Sequence, residues 1–196
     1  MNKLWNRQYK SGKFEVYSDK PNLELIQVTQ KHTNKVVEFN GSDLSSVEAD
    51  GIISTREALK DISLAIKTAD CLPILFVGEK IALVHAGWRG LADNILSAPL
   101  LREEKWKRIL IGPSIRHYEV QSDFKNFFPN SNGFYSRGDR LYFNLQLEAL
   151  SQLESLYPEV DLEDSLVCTF ENSDFNSYRR DKTELRNWNI FTLNQG

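Results

Sequence analysis

The chain has 196 residues, roughly one domain at about 150 residues per domain. Hydrophobic residues make up 41% and charged residues 26%, which describes an ordinary globule and excludes a disordered or fibrous chain. The 24 basic and 27 acidic side chains leave a net charge of −3, without the basic footprint of a nucleic-acid binder.

The elements follow in chain order. The polar start, MNKLWNRQYKSGK, has no apolar signal core. Short runs of strand character cover Phe14–Ser18, Leu23–Thr29, Lys35–Phe39, Gly51–Ser54, Ser63–Thr68, Ile74–Val77, Ile81–Val84 and Arg108–Ile111. Some alternate and some are continuously apolar, which predicts a sheet covered on at least one face. LADNILSAPLL, after Gly90, places Leu91, Ile95 and Leu101 on one helical stripe, with Pro99 limiting its far end. Ser122 caps a short helix over DFKNFF, and Asn144 caps a longer one with Leu147, Leu150 and Leu153 on one face, ending before Pro158. VCTF reads as a buried strand that makes Cys168 a core residue. Strands and helices mix without a βαβ rhythm, so the expectation is one α+β domain over residues 1–196.

Two cysteines, Cys71 and Cys168, cannot form a disulfide framework. Leu72–Val77, the longest apolar run, falls far short of the ~20 residues that span a bilayer. The expected setting is a reduced cytoplasm, with no membrane, nucleic-acid or required protein partner.

Histidine is scarce: the chain holds three, His32, His85 and His117. His32 stands in QKHTNKVV, Cys71 in KTADCLPILF directly after Asp70, and His85 in LVHAGWRGL at the end of an apolar strand. Cys71 and His85 suit two neighbouring strands joined by the turn Gly78–Lys80 and ending near the same edge. Two imidazoles and a thiolate suit Zn²⁺, and three protein ligands leave the fourth position open. The competing reading makes Cys71 a small core residue and the histidines hydrogen-bonded side chains.

HAGWRG carries two readings of equal weight. In one, Gly87 and Gly90 admit a ligand close to the backbone, the helix starting near Leu91 offers N–H groups to an anion, Arg89 grips phosphate and Trp88 stacks on a base or a sugar face. In the other it is a strand-to-helix turn with a packed Trp and a solvated Arg. His117, beside Arg116, reads as an exposed polar residue. In SYRRD, one of Arg179 and Arg180 can face a pocket, or both can belong to a charged surface turn.

The segments QKHTNKVV, ADGIIS, TADCLPILF, HAGWRGL, IGPSI, YEV, CTF and SYRRD, in this order over about residues 30–181, resemble the YfiH-like family. That family is also labelled laccase-domain or multicopper polyphenol oxidase. The resemblance implies a layered α/β sandwich shared with a bacterial toxin's cysteine-hydrolase domain, and zinc held by His32, Cys71 and His85. It implies phosphorolysis of adenosine, inosine, guanosine and methylthioadenosine, deamination of adenosine, and, in some members, editing of a peptidoglycan precursor. The chain departs from the family pattern before Gln30, where Trp5–Arg7 is at best a vestige of the usual pocket-lining residues. It departs again at Ser114–Ile115 and after SYRRD.

A multicopper site fails on counting, because its trinuclear cluster needs about eight further histidines beyond the blue-copper pair. Copper would be an adventitious occupant of a zinc site. The leading expectation is a zinc-dependent purine nucleoside enzyme, with Asp70 as acid/base or orienting group and Gly87, Trp88, Arg89 and Arg179 on nucleoside and phosphate. The alternatives are a cysteine hydrolase with Cys71 as nucleophile and His85 as its base, or a non-catalytic zinc protein.

Overall fold

The computed structural model describes residues 2–194. Among these, the strands are β1 (Lys3–Tyr9), β2 (Gly12–Tyr17), β3 (Leu25–Ile26), β4 (Val36–Phe39), β5 (Gly51–Thr55), β6 (Ser63–Thr68), β7 (Leu72–Gly78), β8 (Lys80–Ala86), β9 (Trp106–Ile111), β10 (His117–Val120), β11 (Phe134–Arg137), β12 (Arg140–Asn144), β13 (Asp161–Asp164) and β14 (Asn187–Leu193). The α-helices are α1 (Trp88–Ala92), α2 (Pro99–Arg102), α3 (Leu145–Leu156) and α4 (Tyr178–Asp181).

The sheets have the orders β13-β9-β7-β8-β5-β4, β1-β2-β14-β6-β3 and β10-β12-β11. The six-stranded sheet is the middle layer, and its residue alternation shows why. Ile74, Phe76, Ala82, Val84, Ile109 and Ile111 pack on one side with the helices and the three-stranded sheet. Leu75, Val77, Ile81, Leu83 and Leu110 pack on the other with Phe14, Leu64, Ile66 and Phe191 of the five-stranded sheet. A strand buried on both faces has no polar side to alternate with, so LPILFV and IALV read as continuous apolar runs. The fold is therefore α+β and layered, as expected.

Several boundaries differ from the sequence reading. The run Leu23–Thr29 contributes only Leu25–Ile26 to the sheet, because Thr29 turns away to bridge Glu48. Asn94 adopts a left-handed conformation (φ 60°) that breaks the expected helix after Gly90 into α1, a 3-10 turn and α2, and Pro99 opens α2 instead of ending it. Residues Ser122–Phe127 form a 3-10 helix preceded by Gln121, with no side-chain cap. Asn144 does cap α3, its side chain accepting the Leu147 amide, but Leu147 is exposed and the buried face carries Leu145, Ala149 and Leu153. VCTF makes only a bridge between Cys168 and Ser114, although Cys168 is buried. β1 and β14, which lie outside residues 30–181, are integral to the five-stranded sheet.

Candidate metal centre and its pocket

β7 and β8 are antiparallel neighbours with Pro73 opposite His85 and Leu72 opposite Ala86. One step beyond this ladder, Cys71 faces Gly87. An added Cβ at Gly87 would stand 2.9 Å from Cys71 Sγ and 3.2 Å from His32 Cδ2, so the glycine leaves room for ligands instead of admitting a substrate to the backbone. Gly90 lies inside α1, and a Cβ there would press on the Thr33 carbonyl at 3.3 Å. Helix α1 starts at Trp88 and not near Leu91, and it is only five residues long.

The donor atoms of His32, Cys71 and His85 all lie within 4.8 Å of one another, with Cys71 Sγ 3.9 Å from His32 Nε2. Donors on a tetrahedral zinc ion stand about 3.3–3.5 Å apart, so side-chain shifts of about 1 Å close this set. The three residues fit the group that the sequence implies. Among the described residues no other His, Cys, Asp and Glu side chains gather in this way. His117 lies apart, facing Glu171 and Tyr135.

One residue that the sequence reading left without a role organises this centre. Asp50 precedes β5, the strand beside β8, and its carbonyl accepts the His85 amide at 2.7 Å. Asp50 Oδ1 accepts a bond from His85 Nδ1 at 2.7 Å. Oδ2 accepts the amides of Lys31 at 3.2 Å and Thr33 at 2.6 Å, and the Thr33 hydroxyl at 2.9 Å. His32, between those two amides, holds a left-handed backbone (φ 59°) that a non-glycine residue rarely takes. The only signal in the sequence is an aspartate just ahead of a strand, in ADGIIS.

Burial pushes the Asp50 carboxyl up, but the His85 and Thr33 bonds outweigh it and hold it down at about 2. An ionised Asp50 requires the proton on His85 Nδ1, which leaves Nε2 for the centre. Burial also opposes charge on Cys71 and His85, yet the histidines draw the thiol down and Cys71 and Asp50 raise His85.

Asp70 is not in the ligand group, and both its oxygens are engaged. Its Oδ1 accepts the Thr169 hydroxyl at 2.8 Å and its Oδ2 the Arg179 amide at 2.7 Å, which tethers the start of α4 to the residue before Cys71. Arg180 is tucked under the carbonyls of Thr169, Phe170, Asn172 and Phe175, so of the two arginines it is Arg179 that faces the pocket.

The three donors lie in a cavity of about 1160 Å³ that Asp70, Trp88, Arg89 and Arg179 also line. Arg89 stacks on the Trp88 ring at 4.4 Å and Phe124 meets that ring edge-on, so Trp88 lines the cavity and also supports Arg89. Phe127 is half exposed beside Trp88 at the pocket. Arg179 stacks on Tyr118 at 4.8 Å. Trp5–Arg7 lies outside the cavity lining, with Arg7 paired to Glu163.

A family model described as multi-copper polyphenol oxidoreductase laccase matches residues 9–193. The chain belongs to this family. The match is wider than the motif-bearing stretch of residues 30–181. A purine nucleoside phosphorylase of Aquifex aeolicus is 38% identical over 167 residues, covering 80% of this chain and 77% of that protein. The purine nucleoside phosphorylase YfiH of Shigella flexneri is 33% identical over 172 residues, covering 81% and 69%. Among solved structures, a Neisseria meningitidis protein superposes with a TM-score of 0.74 at 28% identity, covering 88% of this chain and 76% of its own. YfiH of Bacillus licheniformis reaches 0.75 at 23%, covering 87% and 74%, and so supports the fold alone. No helix of the described residues is long and apolar enough to cross a membrane.

Proposed function

We propose that this chain is a zinc-dependent purine nucleoside phosphorylase. The observation that carries the reading is the convergence of the His32, Cys71 and His85 donors in a cavity that also holds Arg89, Arg179 and Phe127. Relatives named purine nucleoside phosphorylase support it. The expected substrates are adenosine, inosine, guanosine and methylthioadenosine, with inorganic phosphate. Two free cysteines suit a reduced cytoplasm, and the reaction needs no nucleic acid, membrane or protein partner.

In phosphorolysis a phosphate oxygen bonds to ribose C1′ while the C1′–N9 bond breaks. The purine leaves with the electron pair and takes up a proton. Arg89 and Arg179 offer planar forks to the phosphate, and each is oriented by an aromatic ring beneath it. The exposed Phe127 ring gives the base a stacking surface. Asp70 positions Arg179 through its backbone. Zinc, if held by His32, Cys71 and His85, would supply a Lewis acid and lower the pKa of a water beside the substrate. The same pocket is also expected to deaminate adenosine, the oxygen of a water replacing the C6 amino group, which leaves as ammonia.

The zinc-loaded protein, incubated with each nucleoside and phosphate, is expected to release free base and ribose 1-phosphate. Adenosine is expected to yield inosine as well. Neither product from any of the four nucleosides would overturn the reading.

One observation favours a second reading. Asp50, His85 and Cys71 stand in the order of a carboxylate–imidazole–thiol triad, so a metal-free Cys71 with His85 as its base would suit a cysteine hydrolase that cleaves an amide, as in peptidoglycan-precursor editing. A non-catalytic zinc protein is the weaker alternative, because three ligands leave the site open.

A further inference from the structure

We infer that the cavity accepts purine nucleosides already phosphorylated on the ribose, with Lys67, Lys182 and Arg186 receiving that second phosphoryl group. The inference rests on the nucleoside reading above and extends its substrate class to nucleotides. A nucleoside is uncharged, and Arg89 and Arg179 suffice for one attacking phosphate. The cavity, about 1160 Å³, exceeds the roughly 300–1,000 Å³ of most small-molecule sites and has room for more.

The additional cations all line the cavity. Lys67 is near the end of β6, where its backbone exchanges bonds of 2.8 Å with the Gln30 side chain and its ammonium lies 5.4 Å from the Trp188 ring centre. Trp188 of β14 pairs with Lys67 and Asn187 with Thr68, so Arg186 enters beside the end of the same strand. Lys182 caps α4, five residues after Ser177 and four before Arg186. One Arg186 nitrogen donates to the Thr183 and Leu185 carbonyls, and its other nitrogens donate to nothing among the described residues.

Among the described residues none of the three cations forms an ion pair. Glu119 and Asp123 also line the cavity, but they come from β10 and the 3-10 helix, and Glu119 is paired with Arg140. Both Asp70 oxygens are engaged. Three cations that line a cavity without a carboxylate partner of their own attract a dianion. A phosphoryl group on the exocyclic 5′-oxygen reaches farthest from the ribose ring, so adenosine 5′-monophosphate is the probe.

Calorimetric titration of the zinc-loaded protein is expected to show adenosine 5′-monophosphate binding about tenfold tighter than adenosine, a preference that shrinks as salt rises. The Lys182→Ala/Arg186→Ala double variant is expected to lose this preference while it phosphorolyses adenosine at the rate of the parent. Equal or weaker nucleotide binding by the parent would overturn the inference and leave the nucleoside reading standing. So would a preference that survives in the double variant. Missing adenosine turnover sinks the nucleoside reading alone, and a preference abolished by the double substitution still supports the phosphoryl subsite.

Discussion

Asp50, one residue ahead of β5, lies beside His85 of the neighbouring β8, joined to it twice at 2.7 Å, once through backbone atoms and once from His85 Nδ1 to Asp50 Oδ1. The other carboxylate oxygen gathers the loop on either side of His32. One buried side chain therefore aims two of the three candidate ligands, which reach the centre from separate segments. In Asp50→Asn the amide has one acceptor oxygen and no charge, so it cannot serve both partners. Zinc affinity, read by competition with a chromophoric chelator, is expected to fall about 10- to 100-fold. Unchanged affinity would show that the histidines orient themselves.

The pair also marks where sequence reading ran out. Cys71 and His85 could be placed together because the apolar runs flanking Gly78–Lys80 form a hairpin whose geometry follows from residue counting. Asp50 could not, since its meaning depends on β5 lying next to β8, a non-local pairing that no spacing encodes. β10, β11 and β12 were missed for a different reason: they are short, and one face carries Glu119, Tyr142 and Tyr135 in register, which breaks the apolar signal. The Gln30 side chain substitutes for a strand partner at Lys67, a bond invisible in any propensity pattern. The stacking of Arg89 on Trp88 likewise leaves no trace in sequence.

Gly87→Ala tests the close approach at the centre. The new methyl group would stand 2.9 Å from Cys71 Sγ and 3.2 Å from His32 Cδ2, so both ligands must retreat. The variant is expected to fold, because its backbone φ of −83° is open to alanine, and to bind zinc weakly. Full metal content by elemental analysis would contradict the geometry.

The two cysteines are expected to separate cleanly. Cys168 is buried beside the Ser114 bridge, away from the ligand group. Cys168→Ala is expected to retain turnover at a stability cost of about 1 kcal/mol, whereas Cys71→Ala and His85→Ala lose activity while remaining folded. A Cys168→Ala variant that folds normally but is equally inactive would refute the assignment.

Acid sensitivity is expected to arise in part far from the site, at Glu15 of β2. Burial raises its carboxyl, but Lys13 and Lys3, each 2.9 Å away, together with Tyr17 outweigh that and lower it below its ordinary 4.5. A carboxyl lowered on folding contributes stability that is complete above its unfolded value and lost as pH falls through the folded one. Thermal melts of the parent should therefore weaken below about pH 4.5 more steeply than those of Glu15→Gln. Parallel curves for the two proteins would remove Glu15 from the acid transition.

The zinc enzyme and the cysteine hydrolase predict opposite responses to one pair of reagents. A metal-bound thiolate has its electron pairs engaged, so Cys71 should react slowly with iodoacetamide until a chelator is added. A free Cys71 paired with His85 should alkylate rapidly at neutral pH, and a chelator should leave its chemistry intact. Cys168 is buried and serves as the internal slow standard. Chelation is expected to stop nucleoside turnover and to accelerate alkylation at Cys71, mapped by peptide mass, with zinc restoring turnover if the thiol was left unmodified. Full activity after verified removal of zinc would transfer the assignment to the Asp50–His85–Cys71 triad.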